Sequence, residues 1–318
     1  MRMILMFRRC RSLPALAVAC ALGLSACGTS AATDPGKVQV LASIYPLAYA
    51  AQQVGGDLVE VSVATPAGTD PHSVELSPRQ LRDVGAADLV VYLAGFQAAV
   101  DEAVAERAAD HALDVAPSAD LRSLPPGAAD GHDGEPADDE GDDHDHHTAD
   151  PHFWLDPERL AAVGDAVAEA LAQADPEHAE TYRANAETLA ADLTDLDDEL
   201  ATGLADCTSD VVVTSHAAFG YLTDRYGLQL ISVSGIDPEG EPSPARIREV
   251  RAAITDLGVS AVFTEPLADP AVAATLAEHL GVTVLELDPL DSHDDDAGDY
   301  RAAMTANLAA LRSGLGCA

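Results

Sequence analysis

The chain has 318 residues, 47% of them apolar, which is enough for two modest hydrophobic cores. Its formal net charge is −37, from 54 acidic against 17 basic side chains. A field of that sign repels phosphate backbones and anionic lipid headgroups, which weighs against nucleic-acid binding and suits a cationic ligand.

The first 26 residues read as an export signal: a basic stretch (Arg2, Arg8, Arg9, Arg11), an apolar run from Leu13 to Leu24, and small residues before Cys27. The apolar run is too short for an ordinary membrane span. The order Leu24-Ser25-Ala26-Cys27 resembles the bacterial lipobox, which implies that Cys27 is the lipid-bearing first residue of the mature protein and that residues 27–36 form a tether. A plain secretory signal is the alternative. Loss of the leader's four arginines takes the net charge from −37 to −41. Cys10 and Cys20 leave with it and Cys27 would carry the lipid, so Cys207 and Cys317 remain. Outside the cytoplasm that even remainder suggests one disulfide, the alternative being two separate thiols.

From Lys37 the pattern is strand, helix, strand through Thr65, with Gly55-Gly56 as a stop. A helix capped by Ser77, a buried strand over Asp88–Leu93, a helix near Gln97–Ala109 and a short strand after His111 follow. This alternation predicts a mainly parallel sheet with helices on both faces. Residues 117–150 break the pattern with proline, glycine and charge, and read as a disordered loop. A helix follows over Pro157–Gln173, and a second holds helical periodicity from Asp175-Pro176 to about Ala205. Thirty helical residues would span about 45 Å. That length suits a spine joining two lobes; a helical hairpin packed on one lobe is the alternative. The second half repeats the alternation, with strands at 210–215, 228–235, 259–265 and 282–288. Helices lie between them, one of them over 269–281, and a last helix runs over Tyr300–Leu311. The expected organisation is an N-terminal α/β lobe over 37–174, a linking helix over 175–206 and a C-terminal α/β lobe over 207–318.

Ligands of open α/β sheets collect at the carboxyl ends of the strands. His72 follows the strand ending at Thr65, His216 follows Val211–Thr214 at once, and Asp288 stands at the end of Thr283–Leu287. His152 precedes a helix entry at Asp156-Pro157 and is flanked by Phe153 and Trp154, an apolar support for a buried side chain. Three imidazoles and one carboxylate make a tetrahedral set that suits zinc. Glu265 reads as a support or rim residue and His293 as an ambiguous neighbour of Asp288. His111, His178 and His279 read as ordinary positions.

The segments GTDPHSVELSP, DPHFWLDP, SHAAFGYLTDRYGL and LELDPL with GDYRAAMTANL resemble the zinc and manganese solute-binding lipoproteins of bacterial ABC importers (ZnuA-type). The resemblance runs from about Lys37 to the C-terminus. It implies two small parallel-sheet α/β lobes joined by one long rigid helix, with metal in the cleft between them. It also implies His72, His152 and His216 as nitrogen ligands and Asp288 as the oxygen ligand. Relatives associated with manganese often place a carboxylate where His216 stands, so the histidine points to zinc rather than manganese or iron. Some zinc relatives carry glutamate immediately before the first histidine; here Pro71 stands there, which leaves Asp288 or a water to complete the sphere. His132, His144, His146 and His147 lie among ten acidic residues between Asp130 and Asp150. They resemble the accessory metal loop of zinc-binding relatives, the alternative being a solvated linker.

The resulting expectation is a monomeric zinc receptor, lipid-anchored to the outer face of the cytoplasmic membrane, which supplies an ABC permease and its ATPase. A secreted zinc hydrolase is the competing class, but the sequence has no HExxH motif and a fourth protein ligand would close the open position that catalytic zinc keeps. A surface adhesin is a third, with no direct signal in the chain.

Overall fold

The computed structural model describes residues 36–124, 149–240, 242–267, 277–292 and 298–318. The leader with Cys27, the histidines at 132, 144, 146 and 147, His293 and most of the helix expected over 269–281 lie outside them.

Four strands, β1 (Val38–Ala42), β2 (Val59–Val63), β3 (Leu89–Tyr92) and β4 (Ala112–Asp114), pair in parallel in the order β2-β1-β3-β4. Helices α1 (Tyr45–Gly55), α2 (Pro78–Ala86) and α3 (Ala98–Arg107) make the crossovers. α2 starts where the sequence says it should: Ser77 Oγ accepts the Gln80 N–H while Gln80 Oε1 accepts the Ser77 N–H, a reciprocal cap. β1 is buried on both faces, Val40 and Ala42 in one core and Leu41 in another, as the two-residue period of a covered strand requires.

The segment expected to be disordered is ordered at both ends. Ala116–Ala119 forms a short helix, α4, and Ser123 pairs with Ala149 in an antiparallel bridge. Asp150 N–H donates to the Arg122 carbonyl at 2.9 Å, so the segment leaves and re-enters the fold at one point. The cause is the second half of the chain, where the Tyr221 hydroxyl accepts the Arg122 N–H and donates to the Asp150 carbonyl, each at 2.8 Å. That partner is nearly a hundred residues away and invisible to local composition.

Helices α5 (Pro157–Ala174) and α6 (Ala179–Leu204) follow. α6 has 26 residues, about 39 Å, and buries Tyr182, Ala186, Leu189, Leu193, Leu196, Leu200 and Leu204 at spacings of three and four. It starts later than Asp175-Pro176 because Pro176–His178 is a tighter 3-10 turn. There the Asp175 carboxylate takes the Tyr182 hydroxyl at 2.8 Å and lies 2.7 Å from His178 Nδ1.

A second parallel sheet has the order β6-β5-β7-β8, from β5 (Val211–Thr214), β6 (Gln229–Ser232), β7 (Ala261–Thr264) and β8 (Thr283–Glu286). Its helices include α7 (Gly220–Arg225), α8 (Pro244–Asp256) and α9 (Tyr300–Leu315), and residues 277–280 are helical as well. α6 packs on α1 and α5 at one end and on α9 at the other. Two glycines allow that closeness: a Cβ on Gly164 would lie 2.9 Å from Leu189, and one on Gly203 would lie 2.8 Å from Leu308. One hydrophobic core therefore runs from Val40 and Leu47 through the α6 leucines to Phe219, Phe263 and Leu311. The outer face of each sheet has a smaller core of its own.

Cys207 and Cys317 form a disulfide across 110 residues, joining the end of α6 to the end of α9. Closing a loop of that size is worth about 4–5 kcal/mol in the chain-entropy model, against about 2–4 kcal/mol in typical measurements.

Candidate metal centre

Both sheets reverse strand order between their two central strands, and the groups at issue gather at those carboxyl ends. In the second sheet, His216 leaves β5 and Glu265 leaves β7, the two strands that flank the switch point. In the first, the loop after β2 carries His72. Its backbone is fixed by His72 N–H on Asp70 Oδ1 at 2.9 Å and by Gln97 Nε2 on the Pro71 carbonyl at 3.1 Å. His152 caps a 3-10 turn, Phe153–Leu155, that leads into α5.

These loops bring His72, His152, His216 and Asp291 together, with one potential ligand atom from each within 4.8 Å of all the others. His152 and His216 are 0% and 1% exposed and Asp291 is 6% exposed, while His72 is half-buried. The three imidazole centroids lie 5.2, 5.3 and 6.0 Å apart. His72 meets the edge of Phe96 at 4.9 Å, and His152 packs against Trp154 at 5.3 Å. Charged groups avoid burial unless something repays their lost hydration, so a largely buried cluster of this composition calls for a cation.

Carboxylates orient two of the rings from behind. Asp150 Oδ1 lies 2.9 Å from His152 Nδ1, and Glu265 Oε2 lies 2.5 Å from His216 Nδ1. With Nδ1 turned to a carboxylate, Nε2 is the nitrogen each ring presents to a metal, the arrangement that raises ligand basicity in histidine sites. His216 Nε2 is buried without a hydrogen-bond partner among the described residues. Glu265 is further held by the Ser215 hydroxyl at 2.7 Å and by the His216 N–H at 3.2 Å. Glu265 stands where the sequence suggests a support, whereas nothing local sets Asp150 apart from the other acids of the preceding loop.

Asp288 is not a member of the group; Asp291, three residues on, takes that place. Asp288 Oδ1 accepts the Leu290 N–H at 2.8 Å, and Asn307 brackets its backbone, accepting the Asp288 N–H at 2.8 Å and donating to its carbonyl at 2.7 Å. Leu290 has φ of +58°, a left-handed conformation uncommon for a residue with a side chain. That turn carries Asp291 inward. In the sequence the first aspartate of DPLD is the natural choice because it ends the strand, and nothing local announces a left-handed leucine.

Among the described residues, His178 and His279 are not members of the group, and His279 is exposed. A cavity of about 480 Å³ adjoins the group, with Asp70, Ser215, His216, Glu239, Glu265 and Asp291 in its wall.

Burial pushes Asp291 up to about 7, with His216 pulling the other way. Burial likewise pushes Asp150 up to about 7, against the pull of the His152 N–H and of Arg122. For His216, burial disfavours the cation, but the Glu265 hydrogen bond and charge outweigh it and the pKa is raised. The metal-free group thus carries protons near neutrality that a metal must displace. Zinc affinity is expected to fall as pH drops through 7, where Asp291 takes up its proton, and the raised pKa of His216 adds to the same dependence. Titration calorimetry in buffers of different ionisation enthalpy should show the Asp291 proton released on zinc binding near pH 6.5 and no longer at pH 8.5. Proton release that does not change between those pH values would contradict this.

A family model described as the periplasmic component A of a zinc-uptake complex, ZnuA, matches residues 40–314. The zinc-binding lipoprotein AdcA of Streptococcus pneumoniae strain R6 is 33% identical over 302 residues, which is 93% of this chain and 59% of AdcA. The chain therefore spans little more than half of that relative's length. The high-affinity zinc uptake system protein ZnuA of Bacillus subtilis strain 168 is 29% identical over 331 residues, covering 98% of this chain and 99% of that one. Among solved structures, Zn(II)-bound AdcA from Streptococcus pneumoniae superposes with a TM-score of 0.72 at 29% identity, over 88% of this chain and 58% of that one.

Proposed function

We propose that this chain, which belongs to the ZnuA family of periplasmic zinc-uptake components, captures Zn2+ outside the cytoplasmic membrane and hands it to an ABC permease driven by a cytoplasmic ATPase. The observation that carries this reading is the buried meeting of His72, His152, His216 and Asp291 at the strand ends of the two sheets. Three nitrogens and one oxygen suit zinc, which accepts mixed donors in a tetrahedron, whereas manganese favours oxygen-rich sites. Fixed orientation of two rings by Asp150 and Glu265 favours tight capture. A fourth protein donor leaves no standing position for a reacting water, which favours a receptor over a hydrolase. Anchoring through a lipid on Cys27 and an accessory metal role for His132, His144, His146 and His147 complete the proposal. So do a lobe boundary near 175–206 and monomeric action.

Metal analysis of the leader-free chain, followed by competition against a chelator, tests it. One zinc per chain, held more tightly than manganese or iron, is the expected result. Preference for manganese, or no stoichiometric metal at all, would overturn it.

A further inference from the structure

The four donors come from separate loops, and two of them are linked through a side chain that is not a donor. Trp154 is fully buried, and its indole Nε1–H donates to the Pro289 carbonyl at 2.7 Å. Trp154 stands two residues after His152, and Pro289 two residues before Asp291. The Trp154 carbonyl in turn accepts the hydroxyl of Tyr300, the first residue of α9, at 2.6 Å. The His152 turn enters α5, which packs on α1 beside the first sheet, whereas Pro289 and Tyr300 belong to the second-sheet lobe. Trp154 thus spans the two.

A buried indole N–H almost always finds some acceptor, so the bond alone means little. Its acceptor is what matters. Pro289 immediately precedes Leu290, whose left-handed backbone holds only where surrounding contacts over-determine it. Asn307 and the Asp288 carboxylate fix that turn from the second-sheet lobe. Trp154 fixes it from the His152 side. On the other flank of His152, the Tyr221 hydroxyl holds the Asp150 carbonyl, so the ligand's short segment is pinned at both ends by the second half of the chain.

We propose that Trp154, held by Tyr300 and holding Pro289, is a positioning residue that keeps the carboxylate of Asp291 against the imidazole of His152 and thereby sets how slowly zinc leaves. This rests on the zinc-receptor reading above. Metal loss requires donors to separate, and a direct bond between the segments of two donors resists that separation without touching the ion.

The test follows Zn2+ release from the leader-free chain to excess chromogenic chelator by stopped flow, with the visible absorption of the Co2+-loaded protein as a spectroscopic readout. The variants are Trp154→Phe, which removes the N–H; Tyr300→Phe, which removes one hydroxyl and no carbon; and Tyr182→Phe. The last deletes a hydroxyl bond to Asp175 far from the cleft and controls for general destabilisation. The first two are expected to release zinc about tenfold faster, in the range typical of lost outer-shell partners, and to shift the Co2+ bands. Tyr182→Phe is expected to lower the melting temperature while leaving release and spectrum as in the parent. Should Trp154→Phe not fold, Tyr300→Phe decides. Unchanged release in the folded variants, from a parent that holds zinc, overturns this inference alone; a parent that holds no zinc overturns the receptor reading as well.

Discussion

Replacing His216 by alanine is expected to weaken zinc binding by more than about 100-fold, beyond the roughly 10–100-fold typical of losing an outer hydrogen-bond partner. The imidazole is 1% exposed and its Nδ1 lies 2.5 Å from Glu265, which leaves its Nε2 as the nitrogen offered to a metal. Removal leaves two nitrogens and a carboxylate, with water at the fourth position, an arrangement that binds metal but holds it less well. Glu265 retains the Ser215 hydroxyl at 2.7 Å, so the variant should remain folded and can be titrated. Deleting residues 130–147 supplies the contrast. The chain enters and leaves that segment at the Ser123–Ala149 bridge, so the deletion leaves the four cleft donors in place and tight binding should persist. Zinc binding that survived in His216→Ala and vanished with the deletion would place the metal centre in the histidine-rich segment instead.

Much of this was legible in the sequence because the signals were local. Parallel strands buried on both faces read as runs of valine and leucine, and Ser77 and Asp156 announce the helices that they cap. His72 and His216 could be selected because both follow a strand, and His152 because an apolar clip surrounds it. What escaped depended on distant partners or on local backbone turns. The ends of the 117–150 segment are ordered by Tyr221, and Asp150 becomes a ring-orienting carboxylate only when His152 turns back upon it. The difference between Asp288 and Asp291 is decided by the backbone of Leu290, held by Asn307 from a helix that starts nine residues after Asp291. Periodicity carries none of that information.

The carboxylate at stake can be identified by paired substitutions. Asp291→Asn is expected to lower zinc affinity by about 100-fold, since a neutral amide replaces the only anionic donor of the group. Asp288→Asn should cost far less, because asparagine keeps an oxygen for the Leu290 N–H and so preserves the turn. Two further readouts separate a ligand from a bystander. Burial holds the metal-free Asp291 up at about 7, so its proton is among those zinc displaces. Asp291→Asn should therefore release about one proton fewer per zinc near pH 6.5, whereas Asp288→Asn should lose much less of that release, since the charge of Asp288 is the smallest of the influences that raise Asp291. Stability of the metal-free protein should move in the opposite direction to affinity. A carboxyl whose folded pKa lies above its unfolded value destabilises the fold as pH rises above the unfolded pKa, and this destabilisation is complete once pH exceeds the folded value. The parent carries that burden at pH 8, and asparagine cannot ionise. Metal-free Asp291→Asn should accordingly melt higher than the parent at pH 8 and close to it at pH 4. A variant that binds zinc weakly yet is more stable when empty is what a buried carboxylate kept for a cation produces. Equal affinity losses at the two aspartates, with no gain in stability at pH 8, would return Asp288 to the ligand set.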